Sequence, residues 1–263
     1  MSQSQYANYP SLKDRVVVIT GGSQGIGASM VENFALQGCQ VLFLDIAVEK
    51  GNDLVKRLVE AGVAHAPIFY ECDVSQTREA LQPTAAKILE AFPKIHVLIN
   101  NACNTSTKPT MEVTPESWAR DVNTNLTPQF FLIQSLLPGL LAAAKDILNS
   151  SIINIGTINW AIPATGIPGY TTTKSAIVGL TRTIAHEFGP QGIRCNSIMP
   201  GSTATERELA KVMTPVYKEK VLGAQALKRL IVPAEIARAA LWLGADDSSG
   251  MTNQCIRVDG GWT

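Results

Sequence analysis

The stretch "RVVVITGGSQGIGASMVENFALQGCQVLFLD", residues 15–45, decides the fold. It opens on an apolar, β-branched run, RVVVIT (15–20), whose consecutive apolar positions suit a strand covered on both faces. A glycine-rich turn, TGGSQGIG (20–27), follows at once, and a helical pattern runs over about 24–37. A second apolar run, CQVLFLD (39–45), then closes a βαβ unit. Glycines let the backbone turn sharply and approach a pyrophosphate, while the helix start offers amide donors and a positive dipole end. Gly21, Ser23, Gln24, Gly25, Ile26 and Gly27 are therefore candidate cofactor-binding residues, against a glycine turn that binds nothing.

Asp45 ends the second strand, where a carboxylate can accept hydrogen bonds from adenosine ribose hydroxyls and repels a 2′-phosphate. No Arg or Lys occupies the glycine loop, and Ile46 follows the Asp. NAD is expected in preference to NADP. The other reading of Asp45 is a strand-end carboxylate making a turn.

Outward from this unit the alternation continues. PIFYECD (67–73), IHVLIN (95–100), SIINIG (151–156), IRCNSI (193–198) and QCIRVD (254–259) read as strands. Helical patterns fill about 48–61, 76–91, 115–144, 170–188 and 233–244. Right-handed βαβ units of this kind build one α/β domain with a doubly wound parallel sheet of about seven strands, flanked by helices. No Pro/Gly-rich linker, low-complexity tract or repeat divides the chain. We expect a flexible, polar extension over 1–11, one domain over 12–263, and a mobile segment over 202–226, where periodicity is weak.

Composition excludes several classes. Twenty-two acidic and 22 basic residues cancel and the basic ones are scattered, which argues against nucleic acid and anionic membranes as partners. The start, MSQSQYANYP, lacks a signal-peptide pattern, and FFLIQSLLPGLLAAA (130–144) is too short to span a bilayer. A cytoplasmic protein is expected. The five cysteines form no CxxC pair, and His65, His96 and His186 have no metal-ligand spacing, so no metal is expected.

YTTTK (170–174) places Tyr170 and Lys174 one helical turn apart, which alone fits a helix surface as well as a catalytic pair. With TGGSQGIG, NNAC (100–103), NTNL (123–126) and PGSTAT (200–205), in that order, the chain resembles the short-chain dehydrogenase/reductase family from Leu12 to the terminal DGGW (259–262). The resemblance implies a Rossmann-type domain, a nicotinamide cofactor and a hydride transfer. It implies Tyr170 as acid/base and Lys174 as its partner, which also bonds the nicotinamide ribose. Tyrosine titrates near ~10, and lowering that by about three units takes roughly 4 kcal/mol of differential interaction. An ammonium one turn away beside a cationic nicotinamide acts in that direction.

The family's active-site serine corresponds to Thr157 in INIGTINW. Threonine keeps the hydroxyl but adds a methyl that narrows the site, so activity with a tighter substrate pose is expected. Asn125 matches the asparagine holding a water linked to the lysine, its alternative being a helix-surface amide. Asp73 and Val74 correspond to the adenine end, and Asn100, Asn101 and Ala102 to the cofactor-facing turn. The usual glycine after that alanine is Cys103, which is either a reactive thiol or a packed one. Pro200, Gly201, Thr203 and Thr205 correspond to the nicotinamide carboxamide contacts. The segment through about Gln225 matches the family's substrate lid, or is an ordinary helix.

Substrate candidates are Asn104, Thr105, Ser106, Asn159, Trp160, Thr165 and Ile167, beside Thr157 and Tyr170. Amides and hydroxyls suit a sugar or polyol, and Trp160 offers either a face for a sugar ring or core filling. GTINW, KRLIVPAEI (228–236) and DGGW resemble the family's aldose 1-dehydrogenases. That resemblance implies oxidation of an anomeric hydroxyl. The alternatives are a ketone or secondary-alcohol reductase of small-molecule biosynthesis, a cofactor-sensing regulator on the same fold, and a non-redox lyase. The family also implies a homotetramer, or a homodimer, through the helices around 115–144 and 170–188.

Overall fold

A computed structural model describes residues 6–147 and 149–263. Seven strands form one sheet in the order β3-β2-β1-β4-β5-β6-β7, and every pairing is parallel. The strands are β1 (Val16–Thr20), β2 (Gln40–Asp45), β3 (Ile68–Glu71), β4 (Val97–Asn100), β5 (Ser150–Ile155), β6 (Ile193–Pro200) and β7 (Cys255–Val258). Between and beside them run α1 (Gly25–Leu36), α2 (Val48–Glu60), α3 (Gln82–Ala91), α4 (Pro115–Asn125), α5 (Thr127–Ile147), α6 (Pro168–Phe188), α7 (Glu206–Lys211), α8 (Pro215–Ala224) and α9 (Pro233–Gly244).

Alternation along the strands divides the core in two. Val17, Ile19, Phe43, Ile99, Ile153 and Ile198 face one side, where Phe34 of α1, Leu54 of α2 and Leu241 of α9 cover them. Val18, Leu42, Leu98 and Ile152 face the other, covered by Ile88 of α3, Leu132 and Leu136 of α5, and Ile184 of α6. This two-sided cover explains the continuous apolar strands and makes the fold the doubly wound one expected. The order reverses between β1 and β4, so their carboxyl ends flank the crevice where ligands of such sheets bind.

One segment differs from expectation in detail, and two others gain detail. The helix expected over 115–144 is two, broken at Leu126 (φ −124°, ψ −54°). Positions 202–226 carry α7 and α8, each capped by a threonine hydroxyl: Thr205 accepts from the Glu208 N–H and Thr214 from the Tyr217 N–H. In the expected extension, residues 1–5 lie outside those described. Beyond them Pro10–Leu12 forms a 3-10 turn, Leu12 is fully buried, and the Tyr9 N–H donates to Gln37 Oε1 at 2.8 Å.

Pro115–Asp146 is long and apolar enough to cross a membrane by length and composition alone. Its apolarity has a nearer cause, since Leu132, Ile133, Leu136 and Leu140 are buried against the sheet.

Candidate active site

The glycine loop joins β1 to α1 at the crevice. Gly21 and Gly25 have φ of +66° and +58°, in the left-handed region that favours glycine. A Cβ on Gly27 would lie 1.8 Å from the Gly21 carbonyl oxygen, so the helix start is pressed against the turn and needs glycine. Asn101, just beyond β4, closes the loop from the other side, donating from Nδ2 to the Thr20 and Gly21 carbonyls, both at 3.0 Å. The Thr20 hydroxyl accepts from the Asn101 and Ala102 N–H groups. Ser23 is buried and its hydroxyl has no protein partner. A cradle that side chains would fill, opening a helix, with an orphaned buried hydroxyl at its wall, fits a dinucleotide phosphate.

Asp45 is 8% exposed, its carboxylate accepting from the Ser23 N–H at 2.9 Å and the Ala47 N–H at 3.0 Å. These bonds hold the carboxylate beside the loop. Ile46 is 68% exposed, open for contact with a flat ring. Gln24 precedes α1 and accepts from Lys50 Nζ, while Ile26 packs on the core. Asp73 is exposed and accepts from Ser75 through both its N–H and its hydroxyl; Val74 is buried. Asn100 is a correction: its amide does not face the crevice but donates to Asn154 Oδ1 at 2.9 Å inside the sheet, and Asn154 donates on to Thr181.

Tyr170 and Lys174 lie in the first turns of α6, which Pro168 starts, with Lys174 completely enclosed. Lys174 Nζ donates to the Ile155 carbonyl at the end of β5 at 2.7 Å and sits 6.0 Å from the Tyr170 ring centre. Burial holds the lysine below its ordinary range, with Cys103 acting the other way. Burial raises the Tyr170 phenol, Cys103 and Glu208 push it further up, and the Thr157 hydroxyl and Arg207 pull it down. Desolvation of the phenolate is the largest influence on Tyr170 in this arrangement, while Lys174 rests on the Ile155 carbonyl.

Thr157 is buried at the end of β5, and its hydroxyl accepts from the Asn159 N–H at 3.3 Å while neighbouring Tyr170. Asn125, fully buried at the α4–α5 break, holds Asn104 by both ends: Oδ1 accepts from its N–H at 2.7 Å and Nδ2 donates to its carbonyl at 3.0 Å. Those bonds go to the loop after β4. Cys103 is exposed beside the pair.

Of the candidate substrate residues, Ser106 is engaged elsewhere, donating to Asp121 of α4. Thr105 offers its carbonyl to Arg207 of α7 at 2.8 Å, and Trp160 lies under the Arg257 guanidinium at 5.4 Å. Thr165 is exposed and Ile167 precedes α6, next to Gly166, whose carbonyl accepts the Lys108 N–H. Gly201 is crowded by Asp259, Thr203 donates to the Gly201 carbonyl, and Thr205 reaches the glycine loop, its Cγ2 3.3 Å from where a Gly25 Cβ would lie. Pro200 ends β6. The crevice therefore gathers the glycine loop, the loop after β4, the end of β5, the start of α6 and the segment after β6. Asp121 and Glu208 escaped the sequence reading. Asp121 carries no sequence signal, while Glu208 is the fourth residue of the cap-like stretch TERE.

Comparison with known proteins agrees with this arrangement. The family profile described as "Enoyl-(Acyl carrier protein) reductase" matches residues 21–263. A probable galactose dehydrogenase of Rhizobium meliloti is 36% identical over 255 residues, 97% of each chain. A D-xylose 1-dehydrogenase of Caulobacter vibrioides is 38% identical over 256 residues, 97% of this chain and 98% of the relative. The ligand-free structure of Thermoplasma acidophilum aldohexose dehydrogenase superposes with a TM-score of 0.82 at 27% identity, over 97% of this chain and 96% of that one. Similarity of this extent, on a sheet of this order, has one explanation: the chain belongs to the short-chain dehydrogenase/reductase family and is an oxidoreductase that works with a nicotinamide cofactor.

Proposed function

We propose that this chain oxidises the anomeric hydroxyl of a cyclic aldose to a lactone, with NAD as the hydride acceptor. The observation that carries the reading is end-to-end similarity to dehydrogenases of galactose and xylose, joined to a crevice walled by amides and hydroxyls. Asp45 supports NAD, because its buried carboxylate lies where a 2′-phosphate would bring further negative charge. Gly21, Ser23, Gln24, Gly25, Ile26 and Gly27 would hold the pyrophosphate side. Ile46, Asp73 and Val74 would hold the adenine end, and Asn101, Ala102, Pro200, Gly201, Thr203 and Thr205 the nicotinamide end.

When bound, the nicotinamide would supply the acceptor for the hydride leaving C1 and a positive charge that favours the phenolate. Tyr170, once ionised to the phenolate, takes the proton of the C1 hydroxyl as that carbon becomes the lactone carbonyl, and as the phenol returns it in the reverse direction. Thr157 holds the same oxygen through its hydroxyl. Lys174 positions the ribose and favours the phenolate, with one of its three protons fixed on Ile155. Asn125 fixes Asn104, one wall of the substrate pocket with Asn159 and Trp160.

We further propose a cytoplasmic homotetramer. Five free thiols fit a reducing compartment, and Trp118 and Phe130, on α4 and α5, are 38% and 41% exposed and suit an interface.

The test offers NAD or NADP with a panel of aldoses, and the reduced nucleotides with ketones, while following the near-ultraviolet absorbance of the reduced form. NADH from at least one aldose, at a higher kcat/KM than NADPH, is the expected result. Reduction of ketones with no aldose oxidised would replace this reading with the biosynthetic reductase.

A further inference from the structure

Helix α7 crosses the mouth of the crevice, tied to both banks. On one side Glu206 pairs with Lys50 of α2 at 3.3 Å; on the other Arg207 donates to the Thr105 carbonyl after β4 at 2.8 Å. The residue between those ties and the floor is Glu208. Its N–H is capped by Thr205 and its side chain turns inward, half-buried, with Oε1 accepting from the Ser202 hydroxyl at 3.0 Å. Tyr217 of α8 shares the Ser202 hydroxyl and feels the Glu208 charge, as does the Tyr170 phenol. No ion pair of Glu208 is formed among the described residues, although Arg207 is its neighbour in sequence. A half-buried carboxylate is thus held by a short helix between the Lys50 and Thr105 ties, with acceptor capacity beyond its one hydroxyl bond.

Resting on the reading of an aldose as substrate, we propose that Glu208 accepts hydrogen bonds from substrate ring hydroxyls and makes the site select neutral polyhydroxylated substrates over anionic ones. Hydroxyl donors meet such an acceptor with charge-assisted bonds, stronger than neutral ones. A sugar acid or sugar phosphate would bring a second negative charge into a partly desolvated site, where repulsion is poorly screened. Burial pushes the Glu208 carboxyl up, with Ser202 and Arg207 acting against it.

The test measures kcat and KM of the wild type and of Glu208→Gln for the best neutral aldose, for the matching uronic acid and for the matching amino sugar. Gln keeps the shape and the Thr205 cap, which bonds the backbone. For Glu208→Gln the KM of the neutral aldose is expected to rise about tenfold. Its preference for the aldose over the uronic acid is expected to shrink by about the same factor. The alkaline rise of kcat/KM should also move to lower pH. The charge on Glu208 raises Tyr170, while Cys103 acts with it, and Arg207 and Thr157 act against it. A lid that was only damaged would weaken aldose and uronic acid alike and leave their ratio unchanged. Glu208→Ala provides the same readout if Gln retains too much acceptor strength.

An unchanged aldose KM and an unchanged ratio, in an enzyme that does oxidise aldoses, would overturn this inference alone. A wild type that prefers the amino sugar would overturn it in favour of a cation site. A wild type that oxidises no aldose would overturn both this inference and the functional reading beneath it.

Discussion

Tyr170 has a phenol that burial holds in its protonated form, next to a threonine hydroxyl that works in the opposite direction. Thr157 is enclosed, and its methyl fills space at the end of β5 that serine would leave open. Its hydroxyl oxygen accepts from the Asn159 N–H at 3.3 Å and its proton faces the Tyr170 oxygen, where the proposed mechanism also puts the substrate oxygen. Thr157→Ser should therefore keep kcat within about threefold, while Thr157→Val should lower it by about 10²–10³, the usual loss for removing one such donor. Tyr170→Phe should cost about 10²–10⁴ in kcat with cofactor affinity retained, measured by titrating NADH fluorescence. At this scale the sequence motifs located the pair, but not its electrostatics. That YTTTK puts tyrosine and lysine on one face is a matter of helical spacing. That the ammonium rests on the Ile155 carbonyl depends on how α6 docks on β5, which no local pattern encodes.

Elements position these groups through their ends. The glycine loop, the Asn101 turn and the α4–α5 break are each closed by side chains of a neighbouring segment, so the crevice walls are cross-braced. The break at Leu126 was hidden because α4 turns Ser117, Asp121 and Asn125 inward and so has no apolar stripe whose end would mark the join to the apolar α5. The caps Thr205 and Thr214 were readable, but α7 and α8 bury only Val221 and show no apolar stripe, so periodicity could not find them.

One inter-element bond has a measurable pH dependence. His96, just before β4, accepts the Val16 N–H of β1 through Nδ1 at 3.0 Å. Burial holds its imidazole below the ordinary 6.5, helped by Arg15 and Lys94 and opposed by Asp146. The unfolded chain takes up a proton as pH falls through about 6.5 that the folded chain takes up only at lower pH. This contribution is therefore complete above about 6.5 and is lost as pH falls toward the depressed folded value. The urea midpoint should drop between about pH 8 and pH 5.5, and His96→Asn, which keeps an acceptor without the proton, should flatten that drop.

For the whole molecule the strand alternation was sufficient to read the architecture, since strands covered on both faces leave a parallel sheet as the simplest arrangement. Assembly follows different rules, because an exposed aromatic face looks the same in sequence as a buried one. The proposed tetramer should appear in light scattering as about four times the 28.2 kDa chain. Phe130→Glu, on the exposed face of α5, should lower that mass, whereas an unchanged monomer in the parent protein would contradict the assembly.

The central step of the proposed reaction is hydride leaving the anomeric carbon of a sugar for the nicotinamide ring. The most direct measurement supplies the best aldose carrying deuterium at C1 and weighs the reduced nucleotide by mass spectrometry. The expected result is one deuterium gained per nucleotide reduced and none in Tyr170→Phe within the same time. Reduced nucleotide without deuterium, or sugar consumed with no reduced nucleotide, would contradict it.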